Sequence, residues 1–189
     1  VCQIMNATKP LAGKVDHEYA TDPYELIFSD VFGPVNPVSS DGYRYAIHFT
    51  DAATRKTKVY FMRTKDESLD RFIDFLAEVE SDGYSVRALA IRIDNDQNYV
   101  AGKFARFCKD HAVRQETTAP YVHTNAAVAE RLWRTLVGMT RAFLKTSGLG
   151  DKYWPLIMKH AEYVYNRRPH KSLGGISPNE KMTGEQQDL

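Results

Sequence analysis

The sequence predicts a single α/β domain built around a five-stranded mixed sheet. Three consecutive strand-like runs near the start of the chain predict an antiparallel meander. After them, segments with helical periodicity alternate with two further strand-like runs, which is typical of a mixed sheet flanked by helices. The length of 189 residues is sufficient for one well-buried domain with some additional chain at the ends.

Short turn-rich spacers separate the three strands of the meander. The strands are the runs YELIFSDVF, YRYAIHFTDA and KTKVYFMR. The second run alternates Tyr43, Tyr45 and Ile47 with polar residues, as a strand with one buried face does. The spacer PVNPVSSDG is rich in turn-forming residues, and the spacer ATR is short.

Helices and two more strands follow the meander. Thr64 and Glu67 form a possible capping box at the start of the first helix, which Asp82 and Gly83 end. The run VRALAIRID is apolar on both faces, which predicts a central strand. The remaining predicted elements are a helix at about Ala101–His111, a strand at VRQET, and two long helices at about Ala126–Thr146 and Lys152–Asn166.

Composition is that of an ordinary globular protein, with 43% apolar and 26% charged residues. No apolar run approaches the eighteen residues that a membrane-spanning helix needs. Cys2 and Cys108 are too few for a disulfide framework, and Cys108 lies in an apolar stretch that predicts a core position. Residues 1–20 lack periodicity and are interpreted as a linker remnant cut from a longer polypeptide, with the domain occupying residues 21–189.

The net charge of +1 conceals a basic segment. Between Arg131 and Leu173 nine Lys or Arg residues face only Asp151 and Glu162, so this segment carries a charge of +7. Such local charge favours a polyanionic partner, although exposed helices are often basic without binding anything.

Three acidic residues are the candidate catalytic and metal-binding groups. Asp30 lies near the end of the first strand, Asp94 ends the central strand, and Glu130 lies on the first long helix. Carboxylates that converge repel each other unless a cation lies between them. Mg²⁺ prefers oxygen ligands, and a pair of such ions promotes attack at a phosphodiester.

Each of these residues also has a simpler interpretation. On the helix, Val128, Leu132, Leu136, Met139 and Phe143 form the core face, so Glu130 belongs to the opposite face with Arg134, Arg141 and Lys145. Glu130 and Arg134 then form an ordinary i,i+4 ion pair. Asp94 belongs to the sequence Asp-Asn-Asp, which is also typical of a polar turn. Asp30 either pairs with a cation or lies at an exposed strand end.

Five segments, in this order, resemble the integrase core of copia-type LTR retrotransposons. The segments are ELIFSDVFGPV, YRYAIHFTDAATRKTKVYFMRTKDES, the IDN around Asp94, TTAPYVHTNAAVAERLWRTL and NRRPHKSLGGISPNEKMTG. The resemblance covers about Tyr24 to Gly184 and implies an RNase H-like fold. It also implies a catalytic triad of Asp30, Asp94 and Glu130, since thirty-five residues separate Asp94 from Glu130 as the family pattern requires.

The resemblance implies an enzyme that uses two Mg²⁺ or Mn²⁺ ions, held by Asp30, Asp94 and Glu130, to process and join DNA ends. Its partner is DNA, with no membrane and no small-molecule substrate, and Arg131, Arg134, Arg141 and Lys145 are expected to hold phosphates. It further implies a homo-oligomer located in the nucleus or in a cytoplasmic virus-like particle. Cys2 resembles the end of a zinc-binding region, but no second ligand at the required spacing accompanies it.

Two departures from the family pattern favour an alternative function. The family follows its second Asp with Asn-Gly-Gly-Glu-Tyr, whereas this chain has Asp96, Gln97 and Asn98 between Asn95 and Tyr99. Ala126 and Ala127 replace an Asn and a Gly in what is interpreted as a loop containing His123. These departures favour a catalytically inactive DNA-binding module. A nuclease that cuts RNA–DNA hybrids is a second alternative, against which the gap between Asp94 and Glu130 and the segment NRRPHKSLGG argue. Trp133 and Trp154 are candidates for an interface, although such residues more often pack within the domain.

Overall fold

Five strands form one mixed sheet at the centre of the fold. The computed structural model describes residues 20–84, 90–93, 102–117 and 123–185. The strands are β1 (Leu26–Phe32), β2 (Tyr45–Asp51), β3 (Thr57–Met62), β4 (Ala90–Ile93) and β5 (Arg114–Thr117). Their order across the sheet is β3-β2-β1-β4-β5. The pairs β1–β2 and β2–β3 are antiparallel, whereas β1–β4 and β4–β5 are parallel. The predicted meander and mixed sheet are confirmed.

Helices cover both faces of the sheet. Those in the described ranges are α1 (Ser68–Ser81), α2 (Gly102–Asp110), α3 (His123–Ser147), α4 (Trp154–Arg167) and α5 (Pro178–Thr183). The predicted capping box before α1 is confirmed, because the Glu67 carboxylate accepts a hydrogen bond from the Thr64 N–H at 3.0 Å.

The structure corrects one predicted boundary and adds one helix. Helix α3 begins at His123, so His123 lies in its first turn and not in a preceding loop. Helix α5 was not predicted, although a second capping box marks its start: the Ser177 Oγ accepts from the Glu180 N–H at 3.1 Å, and the Glu180 carboxylate accepts from the Ser177 N–H at 2.6 Å. Of the predicted strand VRALAIRID, only β4 lies within the described residues.

Each face of the sheet has its own apolar core. Against α1 and α2, aromatic rings stack at centroid distances of 4.9 Å (Phe49–Phe75) and 5.2 Å (Phe72–Phe104). Cys108 belongs to this core, as predicted, and burial raises the pKa of its thiol to about 11. The core on the other face is formed mainly by α3 and α4, and its members include Leu132, Leu136, Trp154 and Met158.

Side chains of α4 cover the free edge of the sheet. Within the described part of the chain, strand β3 has a strand neighbour only on the β2 side, so its outward backbone groups need other partners. The Asn166 side chain is the partner of both backbone groups of Thr57. Its Oδ1 accepts from the Thr57 N–H at 2.9 Å, and its Nδ2 donates to the Thr57 C=O at 2.8 Å. The Glu162 carboxylate accepts from the Val59 N–H at 2.9 Å, and burial raises the pKa of Glu162 in spite of this bond and of Lys159 nearby. These contacts fix α4, and with it the neighbouring α3, against the sheet.

We expect Asn166→Ala to lower the free energy of unfolding by about 2–4 kcal/mol, because it leaves a buried N–H and a buried C=O without partners. Asn166→Asp keeps the shape and one acceptor, but its ionised carboxylate cannot donate to the Thr57 C=O and places a buried negative charge beside that oxygen, so it is also expected to destabilise. Urea unfolding monitored by circular dichroism measures both. Equal stability of the wild-type protein and Asn166→Ala would contradict this role.

Candidate active site

A cleft lies between the end of β1 and the outer side of α3. Its volume is about 520 Å³, and we call it the β1–α3 cleft. Strand β1 and the turn after it supply one wall, including Asp30, and α3 supplies the other, including Glu130, Arg134 and Arg141. Two of the three predicted acidic residues, one hundred positions apart in the sequence, therefore line the same cleft.

Asp30 reaches the cleft because of the two-residue period of β1. Ile27 and Val31 face the core under α1 and α2, whereas Leu26, Phe28 and Phe32 pack on the α3 side, which is also the side of Asp30. Asp30 is partly exposed, and its Oδ1 accepts from the Val31 N–H at 2.8 Å. Its carboxylate is thus anchored locally and still faces the cleft.

The turn after β1 depends on Gly33. Its φ of +126° is unfavourable for other residues, and a Cβ there would lie 2.7 Å from the Arg44 carbonyl oxygen. This close approach lets the chain leave β1 beside the start of β2 and form the lower wall of the cleft.

Glu130 lies on the exposed face of α3, as the helical periodicity predicts. Leu132 and Leu136 are buried, whereas Glu130, Arg131, Arg134, Arg141 and Lys145 are exposed. Glu130 Oε1 accepts from Arg134 Nη2 at 2.8 Å, and both side chains are about 70% exposed (70% and 72%). At that exposure the ion pair contributes only about 0.3–0.5 kcal/mol. The predicted i,i+4 pair exists, but it is weak enough for Glu130 to exchange Arg134 for another cation.

Trp133 fixes the position of α3 over the sheet. Its ring lies 5.3 Å from that of Phe32 and 5.2 Å from that of His48, and the residue is 6% exposed. Of the two interpretations of Trp133 and Trp154, packing within the domain is confirmed, since Trp154 is also buried. The positioning role of Trp133 was not predicted, although its place one helical turn after Glu130 was an available signal.

Asp94 lies outside the described residues. The last described residue of β4, Ile93, pairs with Ser29, which immediately precedes Asp30. Strands β1 and β4 run parallel, and the carboxyl ends of parallel strands meet at the same edge of a sheet. The structure thus brings Asp30 and Glu130 to one cleft and brings the end of β4 alongside the strand that carries Asp30.

Other buried ionisable groups near the meander are structural. The Asp51 carboxylate accepts from the Tyr24 N–H at 2.9 Å and from the Thr54 N–H and O–H at 2.9 and 2.6 Å. Burial raises the pKa of Asp51, although these hydrogen bonds oppose the shift. Within the described ranges no three His, Cys, Asp or Glu side chains gather as a metal-binding group. Among the described residues that line the cleft, Asp30 and Glu130 are the acids, and both offer the oxygen ligands that Mg²⁺ prefers.

The predicted phosphate-binding residues divide between the two sides of α3. Arg134 and Arg141 line the β1–α3 cleft beside Glu130. Arg131 lines a different pocket on the other side of the helix, and Lys145 lies exposed in the last turn of α3. The row of cations expected from the sequence is exposed, but its members do not share one surface.

A family model described as the integrase core domain matches residues 20–123 of this chain. The chain belongs to the integrase core domain family. Its relatives include a retrovirus-related Pol polyprotein from transposon TNT 1-94 of Nicotiana tabacum, 34% identical over 163 residues, which cover 86% of this chain and 12% of the relative. The corresponding polyprotein from transposon RE2 of Arabidopsis thaliana is 30% identical over 88% of this chain and 11% of its own length.

A truncated transposon Ty1-A Gag-Pol polyprotein of Saccharomyces cerevisiae is 27% identical over 93% of this chain and 16% of its own length. The chain therefore spans only 11–16% of the length of these three relatives. The predicted resemblance to integrases of copia-type retrotransposons is confirmed at the level of the domain.

Two solved structures share the fold. One is a cryoEM structure of the simian T-cell lymphotropic virus intasome in complex with PP2A regulatory subunit B56 gamma, with a TM-score of 0.69 and 15% identity over 90% of this chain and 58% of that chain. The other is the HTLV-2 integrase catalytic core domain in complex with magnesium, in a trimeric form, with a TM-score of 0.62 and 16% identity over 85% of this chain and 97% of that chain. The predicted RNase H-like fold is confirmed.

His48, which packs against Trp133, makes the stability of the fold depend on pH. It pairs with Asp30 across β1 and β2, is fully buried, and its Nδ1 lies 3.0 Å from the Thr50 hydroxyl. Burial lowers its pKa from 6.5 to about 3, so the folded protein holds a neutral imidazole at neutral pH.

We expect this histidine to destabilise the fold as the pH falls. Below pH 6.5 the unfolded chain takes up a proton that folded His48 does not, down to its folded pKa of about 3. The contribution of His48 to the free energy of unfolding is thus intact above pH 6.5. Well below pH 6.5 it falls by about 1.4 kcal/mol per pH unit. Denaturant unfolding of the wild-type protein and His48→Asn between about pH 7 and about pH 4.5 tests this. A stability difference between the two that stays constant over that range would contradict it.

Proposed function

We propose that this chain is the catalytic core of a retrotransposon integrase, which trims the ends of element DNA and joins the resulting 3′-hydroxyls to target DNA. The observation that carries the proposal is the meeting of Asp30 and Glu130 in one cleft, at the edge of the sheet where β4 also ends. Family membership and the fold support the proposal. The core is proposed to occupy residues 21–189.

Asp30, Asp94 and Glu130 are proposed to hold two Mg²⁺ or Mn²⁺ ions. The donor set fits, since carboxylate oxygens are the ligands these ions prefer and the cleft is open to solvent on the side of Glu130. Ions held by these carboxylates would supply a lowered pKa for an attacking water or 3′-hydroxyl and would stabilise the leaving oxygen of the phosphodiester. Because Glu130 holds Arg134 only weakly, little free energy opposes its turning toward a metal ion.

Arg134 and Arg141 are proposed to position the DNA backbone beside these acids. Both line the cleft, and a guanidinium donates two parallel hydrogen bonds to a phosphate. Contacts of this kind set the register of DNA without reading its sequence. Arg131 and Lys145 remain proposed phosphate contacts outside the cleft.

The proposed partners are element and target DNA and further copies of this chain. Assembly is supported by the solved structures with this fold, one described as an intasome and the other as a trimeric form. No helix in the described ranges is both long and apolar enough to cross a membrane. The proposed location is the nucleus or a cytoplasmic virus-like particle.

We expect Asp94→Asn to fold normally but to lose Mg²⁺-dependent strand transfer by more than about 100-fold, since loss of a mere hydrogen-bond partner of a metal ligand already costs 10–100-fold. Asp30→Asn and Glu130→Gln are expected to behave alike, and all three should bind Mn²⁺ more weakly by calorimetry. Asp110→Asn, on exposed α2 beyond the other face of the sheet, is the matched control.

The substrate distinguishes the alternatives. A duplex with the element-end sequence should be processed and joined, whereas an RNA–DNA hybrid should not be cut. Undiminished joining by Asp94→Asn would rule out the triad. If the wild-type protein binds DNA but neither binds Mn²⁺ nor joins ends, the inactive DNA-binding module, which the departures at Asp96–Asn98 favour, replaces this proposal.

Arg134→Ala is expected to weaken binding to all DNA sequences alike, because it removes a phosphate contact. The slope of log affinity against log salt should become shallower by about 0.9. Fluorescence anisotropy on two unrelated duplexes over a range of salt concentrations measures both effects, with Arg106→Ala on α2 as the control. A loss confined to one of the duplexes would contradict a phosphate contact.

A further inference from the structure

A second pocket lies on the other side of α3 from the β1–α3 cleft. Its volume is about 370 Å³, and α3, the β2–β3 turn and the chain at and after the end of α4 line it. At about 100° per residue, Arg131 and Thr135 of this pocket lie roughly 60–140° around the helix from Glu130 and Arg134. We call it the basic pocket, after its basic lining residues Arg55, Arg131, Arg168, His170 and Lys171.

The described lining of the basic pocket is rich in cations. No Asp or Glu is among the described residues that line it. Arg168 and Lys171 are exposed, and neither forms an ion pair with an acidic side chain in the described part of the chain. Gathered cations repel each other, so a bound anion would lower the electrostatic free energy of this surface.

The end of α4 does not account for this gathering. Cations are stabilised near the free carbonyl groups at a helix C-terminus. This explains why one basic residue follows Arg167 at the end of α4. Two of these carbonyls already have partners, since Val164 O accepts from the Arg168 N–H at 3.0 Å and Tyr165 O accepts from His170 Nε2 at 3.0 Å. Arg55 and Arg131 come from other elements, so the helix end does not explain their presence.

Arg55 is held in place before any ligand binds. It is 8% exposed, its N–H donates to the Asp51 carbonyl at 2.9 Å, and its guanidinium lies 5.8 Å from the centroid of the Phe28 ring. Its φ of +65° is a left-handed conformation that costs a non-glycine residue about 1–2 kcal/mol. A cation that is already ordered loses little entropy on binding a phosphate.

Besides burial, two arginines lower the pKa of the same side chain, His170. Burial is the main cause of the lowered pKa of His170, and Arg168 and Arg55 lower it further against the hydrogen bond to Tyr165. His170 is thus neutral at neutral pH, while the arginines provide the charge. Guanidinium groups from separate elements, converging on one pocket, match the several oxygens of a phosphate group.

We propose that the basic pocket binds a backbone phosphate of DNA, at a position separate from the β1–α3 cleft. The choice of DNA as the ligand rests on the proposed function, whereas the preference for a phosphate rests on the pocket itself. The segment NRRPHKSLGG, which supplies Arg168, His170 and Lys171, thereby acquires a binding role in addition to the structural role of Asn166.

The test compares two double variants with the same change in charge. R168Q/K171Q removes two exposed cations of the basic pocket, and R106Q/K109Q removes two exposed cations of α2. Duplex DNA binding is measured by anisotropy without divalent metal. We expect R168Q/K171Q to weaken binding about tenfold. Its salt slope should become shallower by about 0.9 for each phosphate that the variant no longer neutralises. R106Q/K109Q is expected to stay close to wild type, and equal effects of the two variants would overturn the proposal.

A second measurement uses inorganic phosphate as the probe. Its titration should shift the arginine Nε–H signals of Arg168 and Arg55 in nitrogen-15 NMR spectra, and duplex DNA should compete with it. If phosphate leaves these signals unchanged, or shifts them while R168Q/K171Q binds DNA like its control, the proposal is wrong. Because both measurements omit metal, they are independent of whether Asp94→Asn abolishes strand transfer.

Discussion

The packing of Trp133 against the sheet is the contact on which the candidate active site depends. Its ring lies between α3 and the meander, 5.3 Å from Phe32 and 5.2 Å from His48. A buried Trp typically accounts for about 3–5 kcal/mol of stability, roughly ten times more than the exposed Glu130–Arg134 pair. Because Glu130 is one turn earlier on the same rigid helix, the position of Trp133 decides that Glu130 faces the cleft of Asp30.

Much of this arrangement could be predicted from local patterns. The two-residue period of the meander and the helical period of α3 predicted which residues are buried, and Leu132 and Leu136 are buried as expected. The exposed face of Glu130 followed from the same period. Charge alone does not identify Glu130 and Asp30 as catalytic, because it also fits a solvated helix face, and the family resemblance supplies the rest of the prediction. Helix α5 was missed because it is six residues long, too short for a periodic signal, although its capping box was visible.

Other features could not be predicted because they arise between distant segments. The helical period places Trp133 at the edge of the polar face of α3. It is nevertheless buried, because Phe32 of β1 and His48 of β2 pack against it. In the sequence, Asn166 is a polar residue near the predicted end of a helix. In the structure it completes the backbone hydrogen bonding of Thr57, 109 residues earlier. The summed charge of residues Arg131–Leu173 predicts a basic segment, but Arg55 of the basic pocket lies far outside that segment.

The separation of charges on the two sides of α3 has a physical consequence. In the cleft, Arg134 is engaged with Glu130, so a phosphate bound there competes with a carboxylate for the same cation. The basic pocket has no such competitor among its described lining residues. The two sites thus use different side chains of α3, which lets one helix contribute to both.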